Sequence, residues 1–200
     1  MRIVNDRVKL LSLLCVVVWM GIGCASGGSH GVARGRSSRT AARGGGVDLQ
    51  LSEGYGLLYA LLSKQSRLDG ILIVKSASKQ TEQLLREIAA ASGEGVSQLE
   101  AFAKTDERLL INWTGLREVE ARVRDSIESA IGKQLLFAGD DFELRVLLTQ
   151  AEALQYGAHL GRIIGGIDQD EQRSAWAQRL ADQYDGLRDR VVASLKVAGR

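Results

Sequence analysis

Between residues 51 and 195, apolar side chains recur at spacings of three and four, the pattern of helices that each bury one face. From Asp170 onward, Trp176, Leu180, Tyr184, Leu187, Val191 and Leu195 share one face of a long helix. Asp168 and Glu171 have the spacing of a capping box at its start. Leu116, Val119, Val123, Ile127, Ile131 and Leu135 trace a second stripe. Phe142, Val146 or Leu147, Ala151, Leu154 and Ala158 trace a third, opening after Gly139-Asp140-Asp141. Two further helices are expected, at 51–76 with Leu51, Leu58, Leu61, Leu62 and Leu68 inward, and at 78–104 with Leu84, Leu85, Ile88, Leu99 and Phe102 inward. Ile71 to Val74 is the one strand-like run, and its helical flanks make it the buried end of the first of these. Gly70 and Ser92-Gly93-Glu94-Gly95 are expected weak points. The chain has no proline, the residue that breaks helix interiors. Short connections favour antiparallel neighbours. The expected fold is all-α, an up-and-down antiparallel bundle of four to five long helices over residues 47–200.

The pattern ahead of this region is different. Arg2, Arg7 and Lys9 precede an apolar run from Leu10 to Ile22. That run is shorter than the roughly 20 residues of a membrane-spanning helix and fits the apolar region of a cleaved signal peptide. Gly21-Ile22-Gly23-Cys24-Ala25-Ser26 then brings small residues up to a cysteine. This segment resembles the bacterial lipobox, whose cysteine is acylated with diacylglycerol and becomes the first residue of the mature chain. A lipobox usually carries Leu where Gly21 stands. An ordinary secretory signal cut near Ala25, or an uncleaved anchor, would use the same residues. The expectation is therefore a lipoprotein signal peptide at 1–23, acylation of Cys24, and a mature protein held in the bacterial cell envelope. Ala25 in place of Asp after the cysteine points to the outer membrane, facing the periplasm. Cys15 leaves with the signal, so the mature chain relies on its core rather than on disulfides.

Residues 24–46 read as the acylated cysteine followed by a flexible Gly/Ser/Arg tether, with no apolar side chain larger than Val32. Arg34, Arg36, Arg39 and Arg43 give it a basic character with no acid. Residues 47–200 carry 19 Lys and Arg against 23 Asp and Glu, so the overall charge of +2 conceals a mildly acidic body. The compartment and the acidic domain argue against nucleic acid as a partner. The arginines suit either a plain spacer or attraction to anionic headgroups.

Little in the domain declares a chemistry. There is no His/Cys cluster of zinc spacing and no P-loop. Gly157, Gly161 and Gly165 recur every four residues on an amphipathic helix and read as close helix–helix contacts. Asp168-Gln169-Asp170-Glu171 starts like a calcium loop, but Arg173 and Arg179 stand where such a loop needs Gly and Glu. Glu152, Tyr156 and His159 share a helix face and form the candidate ligand site, with Glu53 or Tyr55 as further contributors. No Glu-x-x-His occurs, which argues against a di-iron centre. His159 has no companion nucleophile for hydrolysis. Trp113, between two helices, is either a plug for the bundle end or an anchor for a partner.

Lys75-Ser76-Ala77-Ser78, Leu84-Leu85-Arg86 and Gln98-Leu99-Glu100-Ala101-Phe102-Ala103 resemble the first hairpin of a ferritin-like, exported bacterial domain of unknown function. Gly139-Asp140-Asp141-Phe142-Glu143, with Gln150 on the next helix, looks like that family's start to a later helix. The resemblance spans about residues 51–195 and implies a ferritin-like bundle in the envelope. The family tends to have a histidine in the middle of each of these helices, where this chain has Ala91-Ser92 and Ala153-Leu154.

These readings combine into a lipid-anchored, non-enzymatic helical module that needs no metal or cofactor and binds another envelope protein or supports envelope structure. Amphipathic bundles also pair, so a homo-oligomer is a further expectation. The alternative is a ferritin-like binder of a metal or small ligand, with Glu152, Tyr156 and His159 in the bundle core.

Overall fold

The computed structural model describes residues 42–198. The expected signal peptide, Cys24 and the expected tether as far as residue 41 lie outside them. The described chain is all-helical, as expected. It comprises α1 (Ala42–Gln65), a 3-10 helix (Leu68–Ile73), α2 (Lys79–Thr105), α3 (Glu118–Phe137), α4 (Phe142–Ile167) and α5 (Glu171–Ala198). None of these helices is long and apolar enough to cross a membrane.

Four of the helices form a ring in which every neighbour runs antiparallel. Along α1 and α2, the hydroxyl of Tyr59 donates to Glu100 while Leu62 packs against Gly95. Along α1 and α4, Gly54 faces Ile164 and Leu61 faces Gly157. Along α2 and α5, Ser92 meets Tyr184 and Glu87 pairs with Arg190. Along α4 and α5, Gly165 lies against Ser174 and Gly157 against Tyr184. In each pair one residue number rises as the other falls. The inward positions expected on α2 and α5 hold: Leu84, Leu85, Ile88, Leu99 and Phe102 are buried, and so are Leu180, Tyr184, Leu187 and Val191. Trp176 packs edge-on to Phe102 with ring centroids 5.5 Å apart.

The glycine stripe on α4 forms a close contact with α5, as its spacing implied. A Cβ at Gly161 would stand 2.9 Å from the carbonyl oxygen of Ala177, and one at Gly157 would stand 2.6 Å from the Tyr184 ring. Ser174 adds a hydroxyl donating to the Gly165 carbonyl at 2.6 Å.

Two boundaries and one expected weak point differ from expectation. Helix α1 begins at Ala42, so residues 42–46 are helical rather than the end of a tether. The first helix ends at Gln65, and Leu68–Ile73 is a separate 3-10 turn with no buried residue, its Ile73 and Val74 facing outward. The break falls at Ser66-Arg67, where Arg67 N–H turns back to the Lys64 carbonyl three residues earlier. Conversely, α2 runs unbroken through Ser92-Gly93-Glu94-Gly95. There Gly95 admits Leu62, since an added Cβ would lie 2.9 Å from a Leu62 methyl.

Helix α3 stands outside the ring. It is held by Glu128, which pairs with Lys64 of α1, by Arg124, which donates to the Tyr156 hydroxyl at 3.3 Å, and by Leu135 in a second small core with Leu85, Ala138, Phe142 and Val146.

Candidate functional site

The densest polar cluster lies where three chain segments meet at one end of the ring. Asp168 follows α4, and only 1% of its side chain is exposed. Arg173, on the first turn of α5, grips it with two hydrogen bonds, Nε to Oδ2 at 2.7 Å and a terminal nitrogen to Oδ1 at 3.0 Å. The buried Tyr55 hydroxyl of α1 donates to Asp168 Oδ2 at 2.8 Å. The remaining arm of Arg173 reaches Asp106 at the end of α2, at 3.1 Å, and Asp106 is itself held by Arg108 at 2.9 Å. The backbone N–H of Asp170 completes the Asp168 shell at 2.9 Å.

Charge and burial act against each other here. Burial pushes the Asp168 carboxyl upward, but the hydrogen bonds from Arg173, Asp170 and Tyr55 outweigh it and hold it below the usual carboxylate range. Hydrogen bonds from Arg108 hold Asp106 at about 2. Burial, then the hydrogen bond and charge of Asp168, raise the Tyr55 phenol well above its ordinary value. Asp168 stays ionised and Tyr55 stays neutral, so the cluster is a satisfied ion pair rather than an acid–base pair poised near neutrality.

The expected capping box is corrected by the same geometry. Asp170, not Asp168, caps α5, accepting from Arg173 N–H at 2.9 Å. Asp168 instead ties α4, α5 and α1 together.

A second buried polar pair sits at mid-bundle. Ser92 donates to the Ile88 carbonyl at 2.7 Å and lies 2.7 Å from the Tyr184 hydroxyl. A serine has one proton to give, so Tyr184 is the donor of the second bond. Burial raises the Tyr184 phenol to about 12.

A third cluster staples two helix starts. Glu143, in the first turn of α4, accepts from the hydroxyls of Ser78 and Thr81 at 2.6 and 2.5 Å and from Ser78 N–H at 3.1 Å. A carboxylate thus sits at the N-terminus of α2, where the helix dipole favours it. Burial opposes the charge, but those hydrogen bonds leave the Glu143 carboxyl below its ordinary value.

The sequence-derived ligand residues are not brought into the core. Glu152, Tyr156 and His159 all lie exposed on the outer face of α4. Tyr156 is occupied by Arg124, whose guanidinium lies 5.8 Å from the ring centre. Tyr55 is buried with Asp168, and Glu53 packs on the loop at Gly115, so neither joins that set. Among the described residues, no group of three or more His, Cys, Asp or Glu side chains is placed to hold a metal ion.

Trp113 lies on the α2–α3 loop and is 39% exposed. Its backbone crosses α1 at Gly56, where an added Cβ would be 2.0 Å from the Trp113 carbonyl oxygen.

The largest departure from expectation is the stripe on α3. Leu135 is buried, but Val119, Val123 and Ile127 are 73, 53 and 54% exposed. A strict four-residue repeat advances about 40° beyond a full turn at each step, since an α-helix has 3.6 residues per turn. From Val119 to Leu135 the stripe therefore winds about 160° around the helix. The end carrying Leu135 faces the second core, and the other end turns away from it.

Comparison with models of protein families, with curated proteins and with solved structures finds no match.

Proposed function

We propose that this chain is a lipid-anchored helical module of the bacterial envelope that acts without catalysis, holding another envelope protein through α3. The observation that supports this most is the uncovered row Val119, Val123 and Ile127. Contiguous apolar side chains on a folded surface commonly mark interaction sites. Helix-in-groove recognition uses apolar anchors on successive turns of one helix. The polar clusters offer no competing reading, because Asp168, Arg173, Glu143 and Ser92 each have structural partners. The anchor in this reading is Cys24, through its lipobox-like surroundings.

Photo-crosslinking in intact cells from a reactive residue at Val123 tests it, alongside mass measurement of the mature N-terminal peptide. A reproducible protein adduct from position 123, weakened in Cys24→Ser, is the expected result. A diacylated N-terminus with no adduct from that position sinks the docking role. A Cys24 peptide without acyl mass sinks the anchor.

A further inference from the structure

Leu49, Ser52, Glu53 and Gly56 follow one another at i, i+3, i+4 and i+7, so they form one line along α1. The α2–α3 loop lies on that line. Ser52 donates to the Arg108 carbonyl at 2.8 Å and accepts from Leu110 N–H at 3.4 Å. Glu53 packs against Gly115, and Gly56 leaves room for the Trp113 carbonyl. Leu49, one turn before Ser52, therefore begins a row that Leu110 and Trp113 continue. Leu49 and Leu110 are 49 and 50% exposed.

The loop is not free to turn these side chains inward. Leu109 and Ile111, on either side of Leu110, are buried in the main core. At the loop's exit Gly115 takes φ of 66°, a left-handed conformation that glycine adopts readily. Core packing accounts for Leu109 and Ile111. It does not account for Leu110 and Trp113, which stay 50 and 39% exposed on a backbone pinned at both sides.

We propose that Leu49, Leu110 and Trp113 form a lipid-contact surface, seated at the headgroup–acyl boundary of the bilayer to which Cys24 anchors the chain. This rests on the anchoring reading above. The chain preceding the described residues joins α1 at Ala42, two turns before Leu49 on the same helix. Seventeen residues separate Cys24 from Ala42. Fully extended, they span at most about 60 Å, so an anchored domain stays within that distance of the bilayer at its α1 end. Three side chains are far short of the roughly 800 Å² per partner that a specific protein interface buries. They suffice where an anchor has already made the contact intramolecular. Tryptophan is also the side chain enriched at membrane–water interfaces. Arg108 is paired with Asp106 and Arg117 with Glu120, so the contact is apolar and needs no anionic lipid. It would set the azimuth of the domain on the bilayer, and with it the direction in which α3 faces.

The test uses the full chain purified from membranes, with its N-terminal peptide mass recorded, in phosphatidylcholine vesicles with ordinary or brominated acyl chains. The difference between native protein and Trp113→Phe isolates the Trp113 emission. The proposal expects that emission to be quenched by about half or more in brominated vesicles, as for an indole at the interface, while Trp176 against Phe102 is unaffected. Leu49→Ser with Leu110→Ser should abolish the quenching. A diacylated chain whose Trp113 emission is the same in both vesicles overturns the contact and leaves the anchor standing. A chain without diacyl mass overturns the anchor, and the contact with it.

Discussion

Arg173 holds Asp168 by two hydrogen bonds of 2.7 and 3.0 Å, and through that single pair the start of α5 is joined to the end of α4 and to Tyr55 of α1. Removing one member leaves a buried, uncompensated charge, which costs about 3–5 kcal/mol. Arg173→Ala should therefore lower the unfolding free energy by about that amount in a denaturant titration. Arg173→Lys keeps the charge but not the two-pronged geometry, so a loss of about 1.5–3 kcal/mol is expected. Equal losses for the two variants would show that the fork geometry contributes nothing.

Acid should weaken the fold through the same groups. Asp168, Asp106, Glu143 and Glu87 all have folded-state values below the ordinary carboxylate range. A depressed folded pKa adds stability above the unfolded value, near 4, and that stability is lost as the pH falls through the folded value. Unfolding free energy should be level from neutrality down to about pH 5 and fall steeply below pH 4. For Asp106 the loss continues to about 2. Asp106→Asn should flatten the lowest part of that curve. A profile rising on acidification would contradict the sign of every shift named here.

The helix count and most inward faces were legible because burial follows period and the period is in the sequence. The four-residue glycine repeat on α4 also read correctly, since close helix approach leaves few alternatives to glycine. The α3 stripe did not. Its four-residue spacing marks a helix but drifts, and which end of the drift meets the body depends on where Leu135 finds its second core. Asp168 was misassigned because capping is a local pattern, whereas Asp168 is held by the side-chain fork of Arg173 and by the Tyr55 hydroxyl of α1, 113 residues away in the chain. The Ser92–Tyr184 pair was invisible for the same reason, being 92 residues apart in the chain.

That pair predicts an asymmetry. Ser92→Ala removes the acceptor for the buried Tyr184 hydroxyl and strands it, at a cost of about 1–3 kcal/mol. Tyr184→Phe removes the stranded group as well, and Ser92 keeps its bond to the Ile88 carbonyl, so the loss should be smaller, about 0.5–1.5 kcal/mol. Denaturant midpoints in the opposite order would show that Ser92 rather than Tyr184 donates.

Two glycines on facing helices should respond in opposite directions. Gly161→Ala drives a methyl to 2.9 Å from the Ala177 backbone oxygen, which cannot swing aside as a side chain can. Forcing the helices apart should cost about 1–3 kcal/mol. Gly186 on α5 has nothing within 4 Å of an added Cβ, and alanine there should gain about 0.5–1 kcal/mol from reduced backbone entropy in the unfolded chain. Thermal unfolding of the two variants reads this directly. Destabilisation by Gly186→Ala would mean that the open space beside it is filled.

Helix α3 offers the sharpest separation of folding from binding, because its two ends face different surroundings. Leu135 is buried with Phe142 and Val146, and Leu135→Ala should cost about 2–4 kcal/mol and loosen the helix. Val119, Val123 and Ile127 are mostly solvated already, and Val123→Asp should change stability by no more than about 0.5 kcal/mol. If the exposed row is a docking face, Val123→Asp abolishes capture of the partner from a fully folded protein. Leu135→Ala impairs capture only in proportion to its loss of stability. Should Val123→Asp instead unfold the chain, as seen by circular dichroism and denaturant midpoint, the row packs on the body in solution. The exposed face of α3 would then be withdrawn as a binding site.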